Sequence, residues 1–197
     1  MENTPRYQIR AAHTGTTVTV YQAYSPRIGV PAARQGRFPA SWKRERMTWV
    51  KPSFLWMMYR CGWGLKRDQE MVLAVEITRA GFEWALERAC LSHYSPTVHA
   101  DRRSWREQLR SAPARVQWDP ERDLHLAPLA HRSLQLGLSG EAAGRYADEW
   151  IVSVTDVTPL AHRVHALVRT GEPEEAGRLL PREEPYPLDP GLLRHLC

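Results

Sequence analysis

The alternation of apolar and polar residues predicts strands in the first and middle parts of this chain. The run "TVTVYQAY" (17–24) and the run "MVLAVEITR" (71–79) are rich in β-branched residues, as strands are. "ARVQWD" (114–119) and "RSLQLGL" (132–138) alternate in the way of half-buried strands. "AGFEWALERACL" (80–91) instead places apolar residues on one stripe, which predicts a helix after the second strand.

Proline and glycine mark where further helices and turns are expected. A helix after Pro26 ends at Gly36, and Pro31 should limit it to a turn or two. A helix from Thr158 ends at Gly171. "DPER" (119–122) has Asp and Pro at the first two positions of a type I turn, so we expect the chain to turn there.

These elements predict an α+β fold with a mixed or antiparallel sheet core and helices toward the C-terminus. At 197 residues and 43% hydrophobic content, the chain can bury one substantial core, so residues 1–171 are expected to form a single domain. Residues 172–197 are rich in proline and acidic side chains. We expect them to pack on the domain as a tail or to trail from it.

Several functional classes lack their sequence signals. The longest apolar run, "FLWMMY", is far shorter than the roughly 20 residues of a membrane span, and the N-terminus has no apolar signal region, so a cytoplasmic protein without a membrane partner is expected. Three cysteines without CxxC spacing predict neither a disulfide framework nor a zinc site, and no metal site is expected. Because glycine-rich phosphate loops are also missing, phosphate binding would need side chains.

Positive charge is concentrated in the first third of the chain. Residues 1–70 contain 12 Lys or Arg and four acidic residues, whereas the part from Ser139 onward contains six and ten. Four tryptophans alternate with the basic residues, at positions 42, 49, 56 and 63. This mixture favours a phosphate-bearing partner, because cations neutralise phosphate and aromatic rings stack on bases. A solvated basic surface over an aromatic core explains it equally well.

Two candidate residues each have an alternative structural role. Glu121 follows a predicted strand and could act as a general acid or base, or it could be a solvated turn residue. Arg10 could bind a diphosphate, or it could form an ion pair with Asp119 or Asp123. Periodicity does not separate these alternatives.

Long stretches of the chain resemble a known family. The resemblance runs from about Arg6 to Leu188 and is to the family called domain of unknown function 4291, which implies no activity. The stretches that carry it are "IRAAHTGTTVTVYQAYSPRIG", "RMTWVKPSFLWMMYRCGWG", "VQWDPERDLHLAPLAHRSLQLGLSG" and "LLPREEPYPL".

The order of the elements also resembles ADP-ribosyltransferases, especially toxins that modify DNA bases. "VYQAYSPRIGVPAARQGRF" is similar to their first strand and helix, and "WVKPSFLWMM" to a proline-containing segment that follows. The resemblance implies an ADP-ribosyltransferase-like core. It implies that Gln22 lies where such enzymes bind the nicotinamide ribose with His or Arg, and that Glu121 is the catalytic glutamate.

The resemblance therefore implies an NAD-dependent ADP-ribosyltransferase, with DNA or RNA bases among its acceptors. Glu121 is the expected catalytic residue. NAD as a substrate is expected to contact Arg10, Tyr21, Gln22, Arg46, Lys51, Ser53 and Trp56, and nucleic acid to contact Lys43, Arg44, Tyr59 and Arg60. Two alternatives stay open, a non-catalytic nucleic-acid-binding module and an RNA-processing enzyme that does not use NAD.

Overall fold

The computed structural model describes residues 4–197, which form nine strands, eight α-helices and one π-helix. The strands are β1 (Arg10–Ala11), β2 (Thr17–Tyr24), β3 (Thr48–Val50), β4 (Met71–Thr78), β5 (Ala89–Leu91), β6 (Ala114–Arg122), β7 (Pro128–Leu138), β8 (Ile151–Asp156) and β9 (Glu184–Pro185). The helices are α1 (Pro26–Gln35), α2 (Phe54–Cys61), α3 (Arg79–Glu87), α4 (Arg102–Ser111), α5 (Glu141–Arg145), the π-helix (Tyr146–Trp150), α6 (Thr158–Thr170), α7 (Pro173–Leu179) and α8 (Pro190–Arg194). In the chain from residue 4 onward, none of the helices combines the length and apolar character needed to cross a membrane.

The strands form a mixed α and β architecture with three sheets. One sheet has the antiparallel order β2-β4-β8, and another has the order β3-β7-β6-β5, in which only β5 is parallel to its neighbour. β1 and β9 form a separate antiparallel pair. The two larger sheets meet where Tyr21 in β2 and Lys51 after β3 exchange backbone hydrogen bonds of 2.7 and 3.2 Å.

The core has two parts, which lie on opposite sides of β2. Val20 packs in the larger cluster together with Phe82 and Trp150. Tyr21, the next residue, packs in the smaller cluster with Phe54. Because successive side chains of a strand point to opposite faces, β2 contributes apolar residues to both clusters.

α1 confirms the predicted start and end of the first helix but is longer than expected. Pro26 occupies its first turn, and Gly36 ends it with a positive φ of 67°. The expectation that Pro31 limits the helix to a turn or two is wrong, since ten residues are helical. α1 packs against β4, where Gly29 lies directly against Met71, and this packing outweighs the single N–H donor that Pro31 lacks.

The predicted turn at "DPER" is also wrong, because these residues continue β6. The strand runs to Arg122, and its pairing with β7 shifts register between Pro120 and Arg122. Proline cannot donate to a sheet ladder and is tolerated at such bulges. The bulge therefore keeps Glu121 within the strand.

The helix predicted over residues 80–91 ends earlier than expected. α3 ends at Glu87, and the last three residues of the prediction form β5, which pairs with β6. The β-strand at Ala89–Leu91 is held by its neighbour in the sheet, a partner that helical periodicity does not reveal.

Residues 172–197 pack along the sheets. β9 pairs with β1, and the Tyr186 side chain is buried between them and α3, where its hydroxyl donates to Glu83 over 2.6 Å. The indole N–H of Trp118 donates to the carbonyl of Leu196. The acidic C-terminal segment thus contributes to the hydrophobic core.

The close packing of α3 on the π-helix makes Gly81 sensitive to substitution. A Cβ at this position would overlap the Trp150 indole. We expect Gly81→Ala to lower the free energy of unfolding by about 1–3 kcal/mol, as overpacking of a core does.

Gly144→Ala is the matched control, because nothing lies within 4 Å of a Cβ at this position in the same region. We expect it to raise the free energy of unfolding by roughly 0.5–1 kcal/mol, since alanine favours a helix over glycine. Urea unfolding followed by circular dichroism measures both. Equal stabilities for the two variants would contradict the packing described.

Candidate functional site

A cleft of about 690 Å³ opens beside the C-terminal half of β2. Its size is in the range of about 300–1,000 Å³ that is typical of small-molecule sites. β2, the start of α1, β3 with the segment before it, and one face of α2 form its walls. The lining side chains include Gln22, Tyr24, Arg27, Trp42, Lys43, Arg46, Thr48, Trp49, Lys51, Met57, Arg60 and Asp68.

Positive charge dominates the walls of this cleft. Five of its lining residues are Lys or Arg, and Asp68 is its single carboxylate. Four of the five were predicted site residues, and Arg27 was missed because it lies in the first turn of α1, away from the basic run that drew attention. The cleft therefore favours an anionic ligand.

Lys51 is a buried cation in the cleft wall. Its side chain is 6% exposed, and its Nζ donates to the Trp49 carbonyl over 3.1 Å and lies 5.5 Å from the centre of the Trp56 ring. Burial, together with the nearby Arg60, lowers the pKa of Lys51 to about 7, although Asp119 and Cys61 oppose the shift. A bound anion would restore the charge of this amine.

Gln22 anchors the floor of the cleft. Its Nε2 donates to Thr48 Oγ1 over 2.7 Å and to the Trp49 carbonyl over 3.2 Å, and its Oε1 accepts from Tyr146 Oη over 2.6 Å. Both amide hydrogens are therefore used within the fold. A ligand can reach only the carbonyl oxygen of Gln22, so the expected ribose contact would have to accept a hydrogen bond there.

Glu121 lies beside the cleft and is not part of its lining. Its side chain is 8% exposed, and its Oε1 accepts from Ser53 Oγ over 2.9 Å and from the Arg122 N–H over 2.8 Å. Ser53 also caps α2 by accepting from the Trp56 N–H. Among residues 4–197, none donates to Oε2 of Glu121, so one carboxylate oxygen is available to a ligand.

Glu183 is a second carboxylate at the same place, and the sequence analysis missed it. Its Oε1 accepts a hydrogen bond from the Phe54 N–H over 2.7 Å. Ser53, the cap of α2, thus binds Glu121, and Phe54, the next residue, binds Glu183. Burial, together with the neighbouring Glu121, raises the pKa of Glu183 to about 8, although the Phe54 N–H and Arg10 oppose the rise. The only sequence signal was its position in the stretch "LLPREEPYPL".

Arg10 and Tyr21 lie on the carboxylate side, away from the cleft. Arg10 donates to the Glu183 carbonyl over 3.0 Å and to Gln8 Oε1 over 3.3 Å, and pairs with neither Asp119 nor Asp123. Tyr21 is 2% exposed. Its burial raises the pKa of its hydroxyl, and the negative charge of Glu183 makes a smaller contribution in the same direction.

The residues predicted to bind NAD are therefore divided between two places. The cleft contains Gln22, Arg46 and Lys51. The carboxylate side contains Arg10, Tyr21 and Ser53, and the Trp56 ring lies next to Lys51. The indole N–H of Trp56 is buried without a hydrogen-bond partner in the described part of the chain.

The residues predicted to contact nucleic acid differ in how available they are. Lys43 and Arg60 are exposed and line the cleft. Arg44 forms two hydrogen bonds with Asp148, of 2.5 and 2.8 Å, so its charge is already compensated. Tyr59 is 42% exposed, and the Arg122 guanidinium lies 3.6 Å from the centre of its ring.

Comparison with known proteins gives a family without an assigned activity. The family model described as "Domain of unknown function (DUF4291)" matches residues 8–186. A search of the curated proteins finds no match to the chain. Between residues 4 and 197, no group of three or more His, Cys, Asp or Glu residues is arranged to hold a metal ion.

The raised pKa of the Glu183 carboxyl should make stability depend on pH. The pKa of Glu183 is about 8 in the folded protein, whereas its ordinary value, taken for the unfolded chain, is 4.5. Between these two pH values the folded state therefore binds more protons than the unfolded state does. Its contribution to the free energy of unfolding therefore falls as pH rises from 4.5 to 8, by up to about 1 kcal/mol per pH unit. We expect Glu183→Gln to remove this part of the slope, because glutamine does not titrate. Its side-chain carbonyl can still accept the Phe54 N–H, so the local structure should be kept.

Urea midpoints of the wild type and the variant from about pH 5 to about pH 9 measure the difference in slope. Glu184→Gln, a change at the exposed neighbouring residue, is the control and should leave the slope as in the wild type. Parallel curves for the wild type and Glu183→Gln would show that Glu183 titrates normally.

Proposed function

The chain belongs to the family called domain of unknown function 4291, and for this member we propose an NAD-dependent ADP-ribosyltransferase activity with nucleic acid as the acceptor. The proposal includes an ADP-ribosyltransferase-like arrangement of the two sheets and a cytoplasmic location. The observation that carries it is the hydrogen bond between Ser53 and Glu121. Ser53 follows Lys51 by two residues, so this bond holds a carboxylate next to the wall of a basic cleft.

The cleft supplies what a diphosphate requires. Arg27, Arg46 and Arg60 can each donate charge-assisted hydrogen bonds to phosphate oxygens, and Lys51 adds a fourth cation deeper in the wall. The half-buried Trp49 offers an aromatic surface to a base or to nicotinamide. A nucleotide of the size of NAD fits a site of this class better than a small inorganic anion does.

The carboxylate side supplies the chemistry of transfer. The bond between nicotinamide and ribose breaks, nicotinamide leaves, and positive charge develops on the ribose. The carboxylate of Glu121 stabilises this charge through its available oxygen and takes the proton that the acceptor loses when it bonds to the ribose carbon. Because Glu121 does not line the cleft, the ribose end of NAD must extend past Lys51 to Ser53.

The exposed side chains at the edge of the cleft fit a nucleic acid acceptor. Lys43 and Arg60 carry uncompensated charge there, and Tyr59 presents part of its ring to solvent. These same side chains favour the second candidate, a non-catalytic nucleic-acid-binding module. Binding by such a module would weaken steeply with salt concentration and would not involve Glu121.

Two substitutions separate binding from transfer. We expect Arg46→Ala to weaken NAD binding about tenfold, because it removes a charge-assisted contact in the cleft. Arg44→Ala is its control, since Arg44 lies two residues away and is paired with Asp148 outside the cleft. Glu121→Gln should bind NAD as the wild type does and transfer no ADP-ribose.

Calorimetry with NAD measures binding, and intact mass spectrometry of DNA oligonucleotides, RNA oligonucleotides and the protein itself measures transfer. Transfer by Glu121→Gln at the wild-type rate would remove that residue from the mechanism. Intact NAD together with salt-sensitive oligonucleotide binding would establish the binding module instead. Cleavage of RNA without NAD would establish an RNA-processing enzyme.

A further inference from the structure

Lysine is rare in this chain, and one of its few lysines is buried in the cleft. Only three of the 27 Lys and Arg residues are lysines, at positions 43, 51 and 66. Lys43 and Lys66 are exposed, whereas Lys51 is buried. Arginine cannot lose its proton under physiological conditions, but a buried lysine can. Between lysine and arginine, the buried position thus holds the type of side chain that can become a neutral nucleophile.

No carboxylate neutralises the amine of Lys51. Within residues 4–197, no carboxylate oxygen lies within 4 Å of its Nζ. Its one hydrogen bond within residues 4–197 goes to the Trp49 carbonyl, which leaves two N–H groups of the ammonium form, or one N–H and the lone pair of the neutral amine.

Burial keeps a large part of Lys51 neutral at physiological pH. It lowers the pKa of the amine, as does Arg60 on α2, whereas Asp119 on β6 and Cys61 on α2 raise it, and the resulting pKa is about 7. Arg46, which also lines the cleft, adds positive charge to the same space. A neutral amine next to several permanent cations is the arrangement used for imine-forming lysines.

We propose that Lys51 captures phosphorylated aldehydes and ketones by forming an imine in the cleft. The neutral Nζ attacks the carbonyl carbon, a C–N bond forms, and the carbonyl oxygen leaves as water with the two amine hydrogens. The product is a C=N bond, and no oxidant or reductant is needed. Arg27, Arg46 and Arg60 hold the phosphate while the carbonyl group reaches Lys51.

This activity goes beyond the proposed function and does not require NAD. It uses Lys51 as a nucleophile, whereas ADP-ribosyl transfer uses the cations of the cleft and the carboxylate of Glu121. Failure of transfer would therefore leave imine formation to be judged on its own measurement, and the reverse also holds.

The test is reductive trapping with glyceraldehyde 3-phosphate and cyanoborohydride, followed by intact mass spectrometry and peptide mapping. We expect one adduct, on Lys51. Half-maximal trapping should need about tenfold less glyceraldehyde 3-phosphate than glyceraldehyde, because the phosphate contributes charge-assisted contacts. Glycerol 3-phosphate, which lacks the carbonyl group, should form no adduct. The yield should rise from about pH 6 to about pH 8 as Lys51 loses its proton.

Two variants complete the test. Lys66→Arg should leave the adduct unchanged, since Lys66 is exposed and does not line the cleft, and Lys51→Arg should abolish it. Adducts distributed over Lys43 and Lys66, with Lys51 unmodified, would overturn the proposal. Equal trapping of glyceraldehyde and its phosphate would overturn the assigned ligand class. The wild-type peptide map decides the outcome even if Lys51→Arg does not fold.

Discussion

The site depends on one backbone interaction, the reciprocal pair between Tyr21 and Lys51 that joins the two larger sheets. With this pair in place, the alternation of side chains along β2 directs Gln22 into the cleft and Tyr21 into the second core cluster. The same pair holds the start of α2 next to β6. Ser53 therefore reaches Glu121, and the cleft and the carboxylates become neighbours.

Local signals in the sequence were sufficient for the elements around the site. Proline and glycine marked α1, and the β-branched residues marked β2 and β4. The prediction failed at "DPER", where Asp and Pro indicate a turn by themselves but the long neighbour β7 keeps the segment extended. Pairing energy comes from a partner distant in sequence, so local propensity could not reveal it.

The candidate site was predictable in kind but not in arrangement. Four of the five basic residues between 43 and 60 do gather in one cleft, and Arg44 is the exception. Tyr21 and Gln22 were both expected to contact NAD, and in β2 the Tyr21 side chain packs in the second core cluster while Gln22 lines the cleft. Glu183 escaped detection because 129 residues separate it from Phe54, its hydrogen-bond partner.

The pairing of β9 with β1 has a consequence for biosynthesis. Glu183 reaches α2 from a segment that the ribosome makes long after Ser53 and Glu121 have emerged. Until Glu183 has emerged during translation, Glu121 is therefore the single carboxylate of this pair at the N-terminus of α2, and the Phe54 N–H lacks the acceptor that it has in the folded protein. The second carboxylate arrives only when β9 docks on β1, so a nascent chain cannot complete its site before its C-terminal segment has emerged.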